Sequence, residues 1–437
     1  MKIVMLGTGY VGLVSGACFS EFGYQVICVD NDKEKINNLE NGILPIYEPG
    51  LEALVTKNFK NGKLKFSNSI ESSLSKADAI FIAVGTPERR GEGHADLTYV
   101  YSVAKEIAPF LKDYCIVITK STVPVGTSLE IKNIIKKYNE NANFDVVSNP
   151  EFLREGSAIE DFMRPNRVIV GVENAKSKKI MENIYQPLYL IQTPILFTDL
   201  KSAELIKYAS NAFLAMKISF INQMADLCES LNTDIHFISR GIGLDKRIGD
   251  KFLHPGPGYG GSCFPKDTIA LSKIASDNNV NLSIINDVIN YNKKRKKSLI
   301  TKLNNILGNE MKEMSFGVLG LSFKPGTDDM RESPSLDLVP SLVENVKKVK
   351  VFDPIAMNEA AKYIKDVYFS NNIEDCIKNV DVIILLTEWS EFRTLSADYL
   401  SSFMRGNVVI DFRNALNPEN FINKNITLYQ VGRGPFN

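Results

Sequence analysis

The segment from Lys2 to Asp30 restricts the fold more than any other stretch of the chain. Lys2 to Leu6 is a short β-branched run, Gly7-Thr8-Gly9-Tyr10-Val11-Gly12 follows, an apolar helical pattern continues through Phe22, and Gln25 to Val29 is a second strand closed by Asp30. A glycine turn between strand and helix, with an acid ending the next strand, marks the first βαβ unit of a dinucleotide-binding sheet. The backbone of Gly7, Gly9, Tyr10, Val11 and Gly12 would then face a pyrophosphate, where helix amides favour an anion. Asp30 suits the hydroxyls of an adenosine ribose and repels a 2′-phosphate, so the expected cofactor is NAD rather than NADP. Lys35 either touches the adenosine end or is a solvated lysine.

Further βα units follow in register with this one. Strands are expected at Ala79 to Val84, Cys115 to Lys120 and Asp145 to Ser148, each running into a polar or Gly/Pro-rich loop. Ligands bind at the carboxyl edge of such a sheet, which places Thr86, Thr122, Glu151 and Glu155 on the nucleotide crevice.

From Leu200 to Glu229 no Pro or Gly interrupts an apolar spacing close to 3.6, so one long helix is expected, capped by Thr198 or Asp199. Lys207 and Asn211 lie one turn apart on it and share a face. A shorter helical region, Asp234 to Leu244, precedes Arg247, and His254-Pro255-Gly256-Pro257-Gly258-Tyr259-Gly260-Gly261 then forms a tight loop ending in Ser262-Cys263. Cys18, Cys28, Cys115, Cys228 and Cys376 read as buried small hydrophobes. Cys263 reads as a nucleophile, because it follows a glycine-rich turn and precedes Lys266 and Asp267, a cation and a carboxylate suited to activating a thiol. From Thr268 to Ile300 the pattern is helical again, and its basic run Lys293 to Lys297 reads as a solvated face.

A second α/β layer begins near Ser315, with strands at Phe316 to Leu319, Val349 to Phe352, Asp381 to Leu386, Val408 to Asp411 and Ile426 to Tyr429, and a crossover helix at Pro334 to Asn345. It lacks the glycine signature of the first, so a different ligand is expected, with Lys324, Arg331 and Arg413 suited to an anion. The expected fold is therefore α/β, two Rossmann-like doubly wound domains joined by a long central helix. The expected boundaries are 1–199 for the NAD-binding domain, 200–300 for the helical domain with the cysteine loop, and 301–437 for the second α/β domain.

Composition narrows the function classes. The 51 basic and 51 acidic side chains of the 437 residues cancel, which gives no bulk support for binding nucleic acid or a membrane surface. Six cysteines without a CxxC pair and three histidines offer no spacing for a structural zinc or a disulfide framework, and no metal is expected. The apolar N-terminus is broken by Gly too early for a signal or membrane segment, so a cytoplasmic protein is expected.

Taken in order, GTGYVG, VGTP ending at Pro87, STVPVGT ending at Thr127, NPEFLREG ending at Gly156, ELIKYASNAFLA in the helix, RIGDKFLHPGPGYGGSCFPKD ending at Asp267, FKPGTDDMRESPS and the terminal VIDFRN resemble the NAD-dependent nucleotide-sugar dehydrogenases over essentially the whole chain. The resemblance implies oxidation of the C6 alcohol of a UDP-sugar to the acid with two NAD+ and one water. Cys263 would attack the aldehyde, and hydride loss would leave a thioester. Asp267, Lys207 and a water near Thr122 would handle protons and stabilise the oxyanion, Asn211 would hold oxygen atoms of the intermediate, and Glu155 would assist hydrolysis. Glu151, Phe152 and Leu153 would line the sugar. Phe252, Gly260, Lys324 and Arg413 would hold the UDP-sugar, Arg247 would arrive from a partner subunit, and Lys266 and Arg331 would touch NAD, beside Thr86, Thr122, Glu155 and Cys263. In the loop after Pro87, Glu92 departs from the Asp common in bacterial relatives.

The GGSCFPKD and RIGDKFL segments lean toward UDP-glucose, with GDP-mannose and UDP-N-acetylhexosamines as the alternatives. A nucleotide sensor without catalysis would have lost Cys263, Lys207 or Asp267, and all three are present. A simple two-electron dehydrogenase would not need the thiol. A homodimer is also expected, with Met216, Phe220 and Met224 of the long helix packing on a symmetry mate.

Overall fold

The computed structural model describes residues 1–89 and 93–437, with only the backbone of Asn309. Glu92 thus lies outside the described residues. Two compact units, Met1–Ser210 and Asn211–Asn437, divide the chain.

In the first unit, strands β1 (Lys2–Leu6), β2 (Gln25–Val29), β3 (Leu64–Ser67), β4 (Ala79–Ile82), β5 (Cys115–Thr119), β6 (Phe144–Ser148), β7 (Val168–Gly171) and β8 (Ile195–Thr198) form one sheet in the order 3-2-1-4-5-6-7-8. Pairing is parallel except between β6 and β7. Because the winding reverses between β1 and β4, the crevice for a ligand opens beside their carboxyl ends. Leu6 is in register with both Val29 and Ile82, which brings the turns after β1, β2 and β4 to one edge. β4 and β5 are buried on both faces, as expected for a parallel sheet covered by helices. Ile3 and Met5 of β1 join one apolar core with Leu13, Phe19 and Phe81, while Val4 and Leu6 join another with Ile82, Val117 and Ile131.

The second unit repeats the plan. Strands β9 (Ser315–Leu319), β10 (Lys348–Phe352), β11 (Tyr368–Phe369), β12 (Val382–Leu385), β13 (Val408–Asp411), β14 (Thr427–Gln430) and β15 (Arg433–Phe436) are ordered 11-10-9-12-13-14-15, and only β14 and β15 pair antiparallel. The repetition extends to single hydrogen bonds. Gly7, with φ +100°, donates to Val29 O at 2.8 Å, and Gly320, with φ +91°, donates to Phe352 O at 2.8 Å. An acid follows each second strand, Asp30 accepting from Thr8 N at 2.9 Å and Asp353 from Leu321 N at 2.8 Å.

The long helix runs from Leu200 to Leu231, 32 residues, or about 48 Å at 1.5 Å per residue. Asp199 supplies its cap, accepting from Ser202 N at 2.9 Å. Its first turns sit tightly on β7, since a Cβ on Gly171 would meet Asp199 O at 2.7 Å and Leu200 Cα at 2.8 Å. No helix among the described residues is long and apolar enough to cross a membrane.

Three expectations need correction. The helical pattern from Thr268 to Ile300 is two helices, Phe264–Asp277 and Ser283–Leu307, because Asn279 takes φ +59° after the Asn278 cap. The basic run on the second helix is only partly solvated. Arg295 and Lys296 are 7 % and 5 % exposed and lie with Asn292 and Leu299 on the buried stripe of that helix. On the long helix, Met216 packs beside Ala215, Tyr259 and Val288, and Met224 packs on the core of the second unit, leaving only Phe220 of the expected three well exposed.

Candidate functional site

In the first unit, the glycine turn is shaped from two sides. Gly12 has no room for a side chain, because its Cβ would lie 2.0 Å from Gly7 O, so that glycine is fixed by packing of the helix on the turn. A Cβ on Gly9 would meet nothing within 4 Å, so this position is open and available for a ligand's close approach. Asp30 accepts from the Thr8 amide and hydroxyl and pairs with Lys35 at 3.2 Å. Burial alone would raise its pKa, but the hydrogen bonds from Thr8 and the Asp32 amide, with the Lys35 charge, together hold the carboxyl below its usual range. An ionised acid beside an open glycine turn fits the ribose and pyrophosphate of NAD. Thr86 Oγ1 donates to Thr122 O at 2.9 Å, tying together the turns after β4 and β5.

The loop after β6 carries Glu151, Phe152, Leu153 and Glu155. Glu151 is buried and accepts from Lys207 Nζ at 3.0 Å, with the two side chains 6 % and 3 % exposed. Phe152 lies under both the Arg167 guanidinium, 3.7 Å from the ring centroid, and the Lys207 ammonium, at 5.1 Å. Glu48, which the sequence reading did not single out, holds the end of this loop by accepting from Gly156 N at 2.6 Å and Ala158 N at 2.7 Å. It also accepts from the Tyr10 hydroxyl, and burial followed by this acid neighbour raises the Tyr10 pKa. Glu48 thus joins the glycine turn to the Glu155 loop. Glu204, likewise buried and missed, caps the helix after Thr122 through Gly126 N at 2.6 Å and Ser128 N at 2.8 Å. No sequence signal marks either acid, because their partners are 38 to 110 residues away.

In the second unit, Cys263 is the N-cap residue of the helix Phe264–Asp277 and is the one partly accessible cysteine among the described residues. Negative charge is favoured at that helix end. One turn on, Asp267 is 1 % exposed and accepts from Asn211 Nδ2 at 2.6 Å and Lys266 Nζ at 2.8 Å. The Gly/Pro loop leading to the thiol is fastened from the long helix and the basic helix. Gly256 N donates to Asn222 Oδ1 at 2.8 Å, Tyr259 exchanges two 2.9 Å hydrogen bonds with the Asn292 side chain, and Arg295 Nε donates to Gly256 O at 2.7 Å. Phe252 is held at φ +63°, a strained conformation for a bulky residue, with its ring 6.1 Å from Phe264.

The expected sugar-nucleotide residues converge on the same loop. A Cβ on Gly260 would meet Glu332 O at 2.3 Å, and Gly261 N donates to Arg331 O at 2.8 Å, so the thiol loop lies against the turn after β9. Arg413 reaches into it, donating to Phe323 O at 2.6 Å and Leu386 O at 2.7 Å, with its guanidinium 3.6 Å from the Cβ position of Gly256. Lys324 Nζ lies 5.2 Å from the Phe323 ring centroid. The acid that matches Asp30 cannot serve a ribose here. Asp353 is 1 % exposed and is engaged by Leu321 N, Ser322 N, Ser322 Oγ and Trp389 Nε1. Arg331 is largely exposed and paired with Asp329, while Arg247 extends into solvent in a bidentate pair with Asp245.

Models of one protein family match three consecutive parts of the chain: a NAD binding domain at residues 1–189, a central domain at 201–294 and a UDP binding domain at 317–418. The chain belongs to the UDP-glucose/GDP-mannose dehydrogenase family. It is an NAD-dependent oxidoreductase. Among its relatives, the UDP-glucose 6-dehydrogenase of Rhizobium meliloti is 47 % identical over 435 residues, covering 99 % of this chain and all of that protein. The solved UDP-glucose dehydrogenase of the archaeon Pyrobaculum islandicum superposes with a TM-score of 0.90 at 35 % identity, over 99 % of this chain and 98 % of that one. A UDP-D-ManNAc dehydrogenase from Pyrococcus horikoshii gives 0.84 at 26 %, over 99 % and 100 %.

The two glycines of the NAD turn should respond oppositely to substitution. Gly12→Ala must push Gly7 aside and should destabilise the first unit by about 1–3 kcal/mol, read as a lowered thermal midpoint. Gly9→Ala should melt like the wild type and yet bind NAD+ more weakly, read by titration calorimetry. Equal melting of both variants would contradict the packing assigned to Gly12.

Proposed function

We infer that this chain oxidises the C6 alcohol of UDP-glucose to the carboxylate, giving UDP-glucuronate. The observation that carries this reading is Cys263 at a helix N-terminus, one turn from an Asp267 engaged by Asn211 and Lys266, in a chain 47 % identical along its length to a UDP-glucose 6-dehydrogenase. NAD+, which the open glycine turn at Gly9 and the Asp30 carboxylate would hold, would supply the hydride acceptor for each of two oxidations. Removal of hydride and a proton from the C6 alcohol gives the aldehyde. The Cys263 thiolate then adds to the carbonyl carbon, forming a C–S bond and an oxyanion that takes up a proton as the thiohemiacetal. Loss of a second hydride and that proton leaves a thioester, and water cleaves the C–S bond to release the acid and the thiol.

Holding the carbon tetrahedral on sulfur is what makes the second hydride available inside the site. Lys207 and Asn211 are assigned to the oxygen on which charge develops, Asp267 and a water near Thr122 to proton transfer, and Glu155 to thioester hydrolysis. Glu151, with its carboxylate buried against Lys207, orients that ammonium, and Phe152 and Leu153 line the sugar. Phe252, Gly260, Lys324 and Arg413 are assigned to the UDP-sugar, and Lys35, Lys266 and Arg331 to the edges of the NAD site. Five buried free thiols accord with a reducing compartment, and we place the enzyme in the cytoplasm.

We also read the chain as a homodimer. Phe213, Phe220 and Leu227 recur every seven residues on the long helix and are 56 %, 47 % and 48 % exposed, followed by Leu231 at 62 %. A heptad-spaced apolar row left bare on one helix suits a second copy of itself across a two-fold axis. Arg247, extended into solvent, is the side chain this reading sends across the dimer.

Cys263→Ser should bind NAD+ and UDP-glucose much as the wild type does and lose acid formation by on the order of 10³-fold or more. Glu155→Gln should instead accumulate protein carrying the mass of a UDP-glucuronyl group in intact-protein mass spectrometry. Acid formation by Cys263→Ser at the wild-type rate, with no adduct in either protein, would make the thiol a bystander. For assembly, light scattering should report about twice the 48.8 kDa chain mass. Phe220→Glu should shift the species toward the monomer, and a wild-type enzyme that is monomeric and active would remove the dimer from the account.

A further inference from the structure

A second buried lysine lies behind the Lys207–Glu151 pair, and no step above uses it. Lys120, at the carboxyl end of β5, is 5 % exposed and donates to Asn149 Oδ1 at 3.1 Å and to the Tyr185 hydroxyl at 3.4 Å. Both acceptors are neutral. Burial raises the Tyr185 pKa, so the phenol keeps its proton, which it donates to Asn149 Oδ1 at 2.6 Å. Asn149 is fully buried, and donates through Nδ2 to Ile169 O at 2.8 Å and through its backbone to Thr119 O at 2.9 Å. Among the described residues no carboxylate pairs directly with Lys120. A buried ammonium held only by neutral groups is costly to keep, and a methionine would fill the space without that cost.

Its position gives the reason. Thr122 follows Lys120 by two residues, and Glu151 follows Asn149 by two. We propose that Lys120 is a positioning residue for the oxidation: through Asn149 and Tyr185 it locks the ends of β5 and β6, and its charge biases the Lys207–Glu151 pair. This rests on the functional reading of Thr122, Glu151 and Lys207 given above. Burial pushes the Lys120 ammonium down to about 7, with Glu151 raising it and Lys207 lowering it. Such coupling is mutual, so the charge on Lys120 acts back on both. The groups that face it are Glu151, Lys207 and the neutral Tyr185 and Asn149. Below pH 7 it is a cation that competes with Lys207 for Glu151. Above pH 7 it is an amine, and its charge no longer acts on the pair.

The test is the pH dependence of steady-state oxidation of UDP-glucose. The wild type should show an inflection in kcat near pH 7. Lys120→Met should lose that inflection, with kcat lower by about 10²-fold and KM for NAD+ and UDP-glucose little changed, since Lys120 is assigned to neither ligand. Tyr185→Phe removes one acceptor from the ammonium, keeps the lysine, and should move the inflection to lower pH, which maintains the test if Lys120→Met does not fold. A wild-type profile in both variants, or a uniform loss of activity with the inflection unmoved, would overturn the proposal and leave Lys120 a packing residue. No NADH from the wild type with UDP-glucose would overturn the functional reading instead.

Discussion

The buried pair between Lys207 and Glu151 fixes the first turns of a long helix to the loop that ends β6. Both charges are nearly sealed from water, and taking two ions out of water costs several kcal/mol each before their attraction offsets it. Packed apolar side chains would join a helix to a sheet at lower cost. The neighbouring arrangement accommodates the pair: Gly171 lets the helix lie close on β7, Glu204 caps the next helix from the same turns, and Phe152 lies beneath the ammonium. A charge placed this rigidly suits a group that must meet a developing oxyanion without reorganising.

The two sheets show how one backbone plan supports two recognition tasks. Each has a glycine of positive φ after its first strand, donating to the last residue of its second, and each has an acid held by the amides of that turn. In the first sheet Gly9 leaves open space and Asp30 keeps some exposure. In the second, Trp389 closes over Asp353, and the turn instead packs against the Gly/Pro loop that delivers Cys263. The difference lies in a few side chains at strand ends, which is where an open α/β sheet places its ligands.

Much of this was legible because local chemistry dictates it. The βαβ signature, the uninterrupted central helix and the glycine loop before Cys263 each depend on residues adjacent in sequence. Residues whose meaning is set by distant partners were not legible. Arg295 and Lys296 sit in a basic run that reads as solvated, and only the fold shows Arg295 clamping Gly256. Glu48, Glu204 and Lys120 look like ordinary charged residues until strands far apart in sequence are aligned. β15, Arg433-Gly434-Pro435-Phe436, carries no strand pattern at all, and it is an edge strand, where a proline is tolerated. The break at Asn278 to Leu282 was hidden by apolar spacing that continues across it, although the asparagines there favour a helix end.

The central claim is that one site carries an alcohol through to an acid without releasing the aldehyde. Its most direct test is the ratio of NADH to acid, measured in one reaction with purified protein and UDP-glucose, by absorbance and by chromatography of the nucleotide sugars. The account predicts two NADH for each UDP-glucuronate at every time point, with no free aldehyde captured by a hydrazine probe. One NADH per turnover, with the aldehyde accumulating in solution, would contradict it.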